Sequence, residues 1–381
     1  MIQKYTICSK TVMNTTDPDI YFDEQGICNH YYKYFSRVKN RIEEGTDAKV
    51  KLDRIIDQIK KVGKDQEYDC LIGVSGGTDS TYVAYKCKEF GLRPLAVHFD
   101  NGWNSELAVS NIEKTLNKLE IDLITYVIDW HEFSDLQVSF LKSSTPDIEI
   151  PTDHAIFALL YEIATKHKIK YIMNGMNFRT ESIMPFAWSY GHIDWKYIKS
   201  VHNKYGNTKL SAYPHFSFTK LLYYTFVKKI KYISILNYIN FNKEEAQIFL
   251  ANNLDWRDYG GKHHESVYTR IIQTYILPKK FNIDKRRAHL SNLIASKTMA
   301  REDALKELEQ PPYNESLQNE DYQYVIKKFG ISAEQFELYM VAPIVAHDFY
   351  QTQWDKSNFR KFYYFKKIGL PFLKVIAKFK K

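Results

Sequence analysis

Several features that would place a chain in a special structural class are scarce here. Its 381 residues include four cysteines, Cys8, Cys28, Cys70 and Cys87, too few and too scattered for a disulfide framework, so a reducing compartment is expected. Only 15 Gly and 11 Pro, beside 44% hydrophobic and 26% charged residues, exclude collagen-like and wholly disordered classes. No stretch reaches the roughly 18 uncharged apolar residues that a membrane span needs. The longest candidate, residues 216–241, is interrupted by Lys220, Lys228, Lys229 and Lys231. Residues 1–5 carry no apolar core of signal-peptide length. A cytoplasmic location follows as the expectation, with the inner face of the membrane as its variant.

Aromatic residues are abundant, with 29 Tyr and 23 Phe. They offer side chains that are apolar in body and polar at the tip. Charge is unevenly spread. Residues 355–381 hold nine basic residues and one acidic, which accounts for the whole formal charge of +8 and leaves the rest of the chain neutral. A nucleic-acid enzyme usually spreads positive charge over its binding face, so a neutral body speaks against a nucleic-acid partner.

The length suits two domains or one large domain with appendages. Residues 1–45 read as irregular, with turn chemistry at Thr15 to Asp19. A charged amphipathic helix over 48–62 is predicted from Val50, Leu52, Ile55, Ile56 and Ile59. Beyond it, short apolar runs at 69–74, 95–99, 123–128 and 171–174 alternate with helical stretches at 81–90, 105–119 and 154–166. That alternation predicts a parallel sheet covered on both faces, with ligands at the carboxyl ends of its strands. From about Ser211 the patterns are helical, 288–308 most strongly, with a break at Pro311-Pro312. The expected domains are an irregular segment 1–45, a sheet domain 46–210, a mainly helical substrate region 211–310, a subdomain 311–354 and a basic aromatic tail 355–381.

The most informative run is Ser75-Gly76-Gly77-Thr78-Asp79-Ser80, between a predicted strand and a predicted helix. Two glycines let the backbone turn tightly, so successive N–H groups face one concavity and the helix adds its positive end. That geometry binds a phosphate or pyrophosphate. Ser75, Thr78 and Ser80 add hydroxyls, and Asp79 is placed to hold a Mg²⁺. The plainer alternative, a Gly-Gly turn whose Ser and Asp cap a helix, explains fewer of these residues. The loop is not a Walker A motif, since it contains no Lys.

This loop resembles the PP-loop of the ATP pyrophosphatase superfamily. The chain also resembles the N-acetyl sugar amidotransferases of bacterial surface-polysaccharide (O-antigen) synthesis over roughly residues 5–355. The runs that carry this resemblance are Asp17-Pro18-Asp19-Ile20, Phe22-Asp23-Glu24-Gln25-Gly26-Ile27-Cys28-Asn29-His30, Asp100-Asn101-Gly102-Trp103, Pro151-Thr152-Asp153-His154-Ala155-Ile156, Trp256-Arg257-Asp258-Tyr259-Gly260-Gly261-Lys262-His263 and Lys285-Arg286-Arg287-Ala288-His289-Leu290-Ser291. It implies an α/β fold, a PP-loop (adenine nucleotide alpha-hydrolase-like, Rossmann-like) domain with a mainly helical C-terminal region. It also implies ATP and Mg²⁺ as cofactors, a nucleotide-activated N-acetyl sugar as substrate, and conversion of its acetamido group to an acetamidino group. The alternative within the superfamily is a tRNA-modifying enzyme of the thiolation or lysidine type.

An amide carbonyl resists ammonia because its leaving group would be oxide. Adenylation turns that oxygen into a good leaving group, with release of pyrophosphate and then AMP. Such a weak nucleophile needs firm positioning and charge neutralisation. Ser75, Asp79 and Lys262 are the expected catalytic residues. ATP is expected at Ser75 to Ser80, at Val97, His98, Phe99 and Asp100, and at Asn174 and Gly175. Substrate contacts are expected from Asp153, His154, Arg179, Lys262, His263, Arg270, Arg286 and Arg287. Each of these cations can also be solvated surface charge, and a lone histidine is more often structural than a proton carrier.

Relatives carry two C-x-x-C pairs near the N-terminus. Here Cys8 and Cys28 each keep only the first cysteine, and with His30 they fall short of a closed tetrahedral site, so structural zinc is not expected. A glutaminase needs a nucleophilic cysteine at a processed N-terminus or in a strand-to-helix elbow. None is placed so, and a separate glutaminase subunit supplying ammonia is expected. The tail interleaves cations with Phe359, Phe362, Tyr363, Tyr364, Phe365, Phe372 and Phe379. That composition suits weak peripheral membrane contact, and equally a solvated or body-packed segment.

Overall fold

The computed structural model describes residues 4–42, 45–258 and 265–353. Five short strands, β1 (Cys70–Gly73), β2 (Pro94–Asp100), β3 (Asp122–Val127), β4 (Tyr171–Asn174) and β5 (Lys231–Ser234), form one sheet in the order β3-β2-β1-β4-β5. Every pairing is parallel. Side chains alternate between faces as the pleat requires. Leu71, Leu95, Val97 and Ile172 enter one core cluster, whereas Cys70, Ile72, Ala96, Tyr171 and Met173 enter another. Burial on both faces explains why β1, β2 and β4 read as continuous apolar runs.

The helices that precede or connect these strands are α1 (Asn29–Arg41), α2 (Gly45–Gly63), α3 (Thr78–Glu89), α4 (Glu106–Leu119), α5 (Trp130–Ser143), α6 (Ile150–Lys166), α7 (Phe178–Glu181), α8 (Trp195–Tyr205) and α9 (Phe218–Leu222). After β5 come α10 (Lys243–Leu254), α11 (Val267–Ile271), α12 (Leu277–Phe281), α13 (Arg286–Ala295), α14 (Arg301–Glu309), α15 (Glu315–Phe329) and α16 (Ala333–Val341). Leu52, Ile56 and Ile59 of α2, with Val83 and Ala84 of α3, cover one face of the sheet. Residues of α5, α6 and the C-terminal helices cover the other.

Three features depart from the sequence expectations. The N-terminal segment contains α1. The helical pattern over 288–308 is two helices, broken after Ser296 where Lys297 takes φ +64°. The fifth strand lies beyond residue 210, in the stretch expected to be mainly helical, and pairs with β4 from Tyr171↔Lys231 to Asn174↔Ser234. No helix among the described residues is long and apolar enough to cross a membrane.

β1 is the switch point. Its chain continues to β2 on one side, while β4 flanks it on the other. In open parallel sheets the ligand crevice opens at the carboxyl ends of the strands at that point. Here that crevice lies between the 75–80 loop and the residues that follow β4.

Candidate active site

The loop is shaped by its two serines. The Ser75 and Ser80 hydroxyls lie 3.3 Å apart, Gly77 N donates to Ser75 Oγ at 3.3 Å, and Ser80 Oγ donates to Gly77 O at 3.2 Å. Gly76 sits at φ +78°, and a Cβ there would lie 2.3 Å from Ala108 O in α4. Conformation and space both demand glycine. Its carbonyl accepts from the buried Trp256 Nε1 at 2.9 Å, while Asn111 of α4 exchanges two hydrogen bonds with the Arg257 backbone at 2.8 and 2.9 Å. The segment after α10 thus fixes the loop from behind.

In front of the loop is a cavity of about 290 Å³ lined by Ser75, Gly77, Thr78, Asp79, Ser80, Gly175, Met176, Glu181, Lys243 and Glu265. A Cβ on Gly175 would lie 2.9 Å from Asp79 Cβ and 3.0 Å from the Asp79 carbonyl carbon, so the chain after β4 passes close against the start of α3. The twelve-residue α3 directs its positive end into the cavity. Backbone N–H groups, hydroxyls and Lys243 suit a polyphosphate. Asp79, Glu181 and Glu265 add carboxylates to the lining, but no three of the described His, Cys, Asp and Glu side chains are grouped as a metal site, so a Mg²⁺ here would take one carboxylate or two and otherwise phosphate oxygens and water. ATP and Mg²⁺ therefore fit the residues present. Lys243, Glu181 and Glu265 had no local signal in the sequence, since each stands alone on an element far along the chain from the loop.

Of the expected ATP residues, Ser75, Gly77 to Ser80 and Gly175 line this cavity and Gly76 supports it. Asn174 adjoins it, its Oδ1 accepting from Met176 N at 3.0 Å and Ser234 Oγ at 2.8 Å. Val97, His98, Phe99 and Asp100 lie one strand over. His98 Nδ1 is 3.1 Å from Val74 O, and Asp100 Oδ1 accepts from Gly102 N at 2.9 Å.

The expected substrate residues do not gather in this cavity. Lys262 and His263 lie outside the described residues. Arg270 makes a two-pronged pair with Asp321, both contacts at 2.7 Å. Arg286 holds Asp284 and donates to the Gln310 carbonyl beyond α14 at 2.9 Å, and Arg287 donates to Val12 O at 3.0 Å. These three arginines join elements, so their guanidinium groups are committed to the fold. Arg179 donates to Ile239 O at 3.3 Å. His154 is a core histidine. Nδ1 donates to His192 O at 2.7 Å, Nε2 accepts from Phe216 N at 3.3 Å, and burial pulls its pKa down to about 4. Asp153 lines a second cavity at the start of α6.

In the N-terminal segment Cys28 N donates to Cys8 Sγ at 3.2 Å, and His30 turns to Asp17, 2.5 Å away. Arg301 binds the Cys8 and Thr11 carbonyls, each at 3.0 Å, and so ties this segment to α14.

Residues 265–363 match the family model of the LPS biosynthesis protein WbpG-like, C-terminal domain. This chain carries a WbpG-like C-terminal domain. The domain opens at Glu265, a wall residue of the 290 Å³ cavity, and its first residues join the sheet domain, with Glu265 O accepting from Ser105 N at 2.8 Å. The match also runs to residue 363, past position 355 where the resemblance was expected to end and into the basic stretch.

A tRNA(Ile)-lysidine synthase of Chlamydia pneumoniae is 30% identical over 94 residues, and the chain spans about a quarter (26%) of that relative's length. Among solved structures, the NH3-dependent NAD synthetase of Campylobacter jejuni is similar with TM-score 0.32 and 15% identity, over 77% of this chain and 96% of that one. The NMN synthetase of Francisella tularensis gives 0.30 and 14%, over 58% and 90%. At these scores the overlaps carry no argument. The fold assignment rests on the strand order and loop described above.

Proposed function

We propose that this chain is an ATP-dependent amidotransferase of lipopolysaccharide (O-antigen) synthesis that adenylates the acetamido carbonyl of a nucleotide-activated N-acetyl sugar and substitutes ammonia to give the acetamidino sugar. The observation that carries this is the 75–80 loop at the switch point of the sheet, in a cavity whose wall includes the first residue of the WbpG-like domain. A phosphate-binding loop in contact with a lipopolysaccharide-synthesis domain supports activation of a sugar by nucleotide cleavage. In this proposal the Ser75 and Ser80 hydroxyls, the loop N–H groups and Lys243 hold pyrophosphate as it departs. Mg²⁺ would be held by Asp79, with Glu181 or Glu265, and would neutralise the same phosphates. The substrate oxygen would approach from the side of the WbpG-like domain.

The test is incubation of purified protein with ATP, Mg²⁺ and ammonium chloride against a panel of N-acetyl sugar nucleotides and, separately, bulk tRNA. AMP release with replacement of one oxygen by one NH in a sugar supports the proposal. Release driven by tRNA alone would favour the lysidine-type alternative.

Ammonia must come from elsewhere in this scheme. All four cysteines are buried, so none is presented as a glutaminase nucleophile. We expect turnover with ammonium salts and none with glutamine until a separate glutaminase is added. Glutamine-driven AMP release by the purified chain would overturn this.

A further inference from the structure

The C-terminal stretch is not the only place where positive charge gathers. From Trp195 to Lys243 the chain holds nine lysines and no Asp or Glu. Part of that run lies at the amino edge of the sheet, opposite the nucleotide cavity. There α9 continues as a π-helical turn, Tyr223–Val227, and the chain then enters the edge strand β5 at Lys231. The end of α6 is tied to it, with Lys170 Nζ donating to Lys228 O at 2.9 Å and Lys231 N to Lys170 O at 2.8 Å. Tyr171 and Lys231 begin β4 and β5, so both bonds sit at the amino ends of these parallel strands.

The helical turn has an inner and an outer side. Tyr224 is buried and stacks on Tyr161 of α6, their ring centroids 4.9 Å apart. Tyr223, Phe226 and Val227 are 42%, 53% and 64% exposed. Apolar side chains scattered singly over a surface are ordinary, but here three fall within five residues. Lys220, Lys229 and Lys231 around them are exposed as well, and Lys228 Nζ lies 5.4 Å from the centre of the Tyr223 ring. The acidic groups of the packed elements point elsewhere. Asp122, at the start of β3 on the far side of the sheet, accepts from Tyr68 OH at 2.8 Å. Burial, and next the charge of Glu162 on α6, raise the pKa of Tyr126, which places Glu162 towards β3.

Cations with no carboxylate among them call for an anionic partner, and the exposed rings and valine call for one that is apolar just beneath its charge. A bilayer with anionic headgroups offers both, in that order of depth. Nucleic acid would match the lysines and stack on the rings but has no apolar layer for Val227. The stretch 355–381 carries net positive charge itself, so this surface repels it. We propose that the end of α9 and the start of β5 form a docking surface for an anionic membrane. Tyr223, Phe226 and Val227 enter the headgroup boundary, and Lys220, Lys228, Lys229 and Lys231 meet the lipid phosphates. The sheet then stands with its amino edge on the membrane and its carboxyl edge, with the 75–80 loop, open to the solution that supplies nucleotide. A single surface of this kind holds reversibly and firmer attachment takes a second signal, for which 355–381 has the composition.

The experiment is co-sedimentation of the full chain with phosphatidylglycerol vesicles, set beside phosphatidylcholine vesicles and bulk tRNA in the same buffer. Binding to phosphatidylglycerol at low salt is expected, weakened at high salt and absent with phosphatidylcholine. Phe226→Ser with Val227→Ser, and separately Lys220→Gln with Lys229→Gln, should each weaken it about tenfold or more. All four side chains are exposed, so both variants should keep the parent's melting temperature and its affinity for ATP. Vesicle binding by the Phe226–Val227 variant equal to the parent's would overturn the surface. Binding of tRNA and not of vesicles, lost in the Lys220–Lys229 variant, would overturn it too and assign these lysines to nucleic acid.

Discussion

Gly175 packs directly against Asp79 in the wall of the phosphate cavity, and their substitutions separate shape from charge. A Gly175→Ala methyl would meet Asp79 Cβ at 2.9 Å and must displace the first turn of α3. ATP binding should weaken about tenfold or more, read as KM for ATP, with a stability loss of about 1–3 kcal/mol. Asp79→Asn keeps the shape and removes the charge. It should leave the melting temperature nearly unchanged and lower pyrophosphate release roughly a hundredfold. Near-normal turnover in Asp79→Asn would remove the metal role proposed for that residue. The glycines were legible in the sequence because the conformation they permit is a local property of adjacent residues. Lys243, Glu181 and Glu265 were not, because what makes them a site is proximity to a loop that lies 101 residues or more before each of them in the chain.

The helices of the WbpG-like domain are joined by charge pairs that the sequence offers as substrate ligands. Arg270 on α11 and Asp321 on α15 are 12% and 6% exposed at their side chains. Removing one partner from such a pair leaves a buried charge, at about 3–5 kcal/mol. Arg270→Ala should therefore lower the melting temperature sharply, and Arg270→Met with Asp321→Leu should recover most of it. An Arg270→Ala protein with unchanged stability and a raised KM for the sugar nucleotide would show the arginine to be a ligand instead. The same contrast explains which elements could be foreseen. β1, β2 and β4 are buried on both faces and carry their identity in their composition. β5 is short, starts at Lys231 after Lys228 and Lys229, and becomes a strand only because β4 offers it an open edge. Nor could charge alone say whether Arg286 meets a phosphate or Asp284, since both present oxygen to the same fork.

At the scale of the molecule, buried titrating groups set the response to acid. His154 and His347 are pulled down to about 4 by burial, so the unfolded chain takes up their protons first, and stability is lost as pH falls from 6.5 towards 4. Asp147, raised to about 7, acts in the opposite sense over the same window, the native state holding its proton longer. Two protons against one leaves a net loss on acidification. The urea midpoint should fall between pH 7 and pH 5, and a midpoint that rises would contradict these assignments. The basic aromatic stretch at 355–381, outside the described residues, makes a separate prediction. If it anchors the protein to anionic lipid, vesicles rich in phosphatidylglycerol should bind the full chain at low salt and not a chain ending at 355, at about 1 kcal/mol per cation near the surface. Equal binding by both would rule the anchor out.

The bond from Trp256 to the Gly76 carbonyl has an optical consequence. Indole emission depends on the dipoles beside its N–H, and here that dipole belongs to the loop that would cradle the nucleotide. Occupancy of the loop should therefore appear as a change in intrinsic fluorescence that Trp256→Phe abolishes, a reporter built into the chain that needs no label, no partner and no turnover.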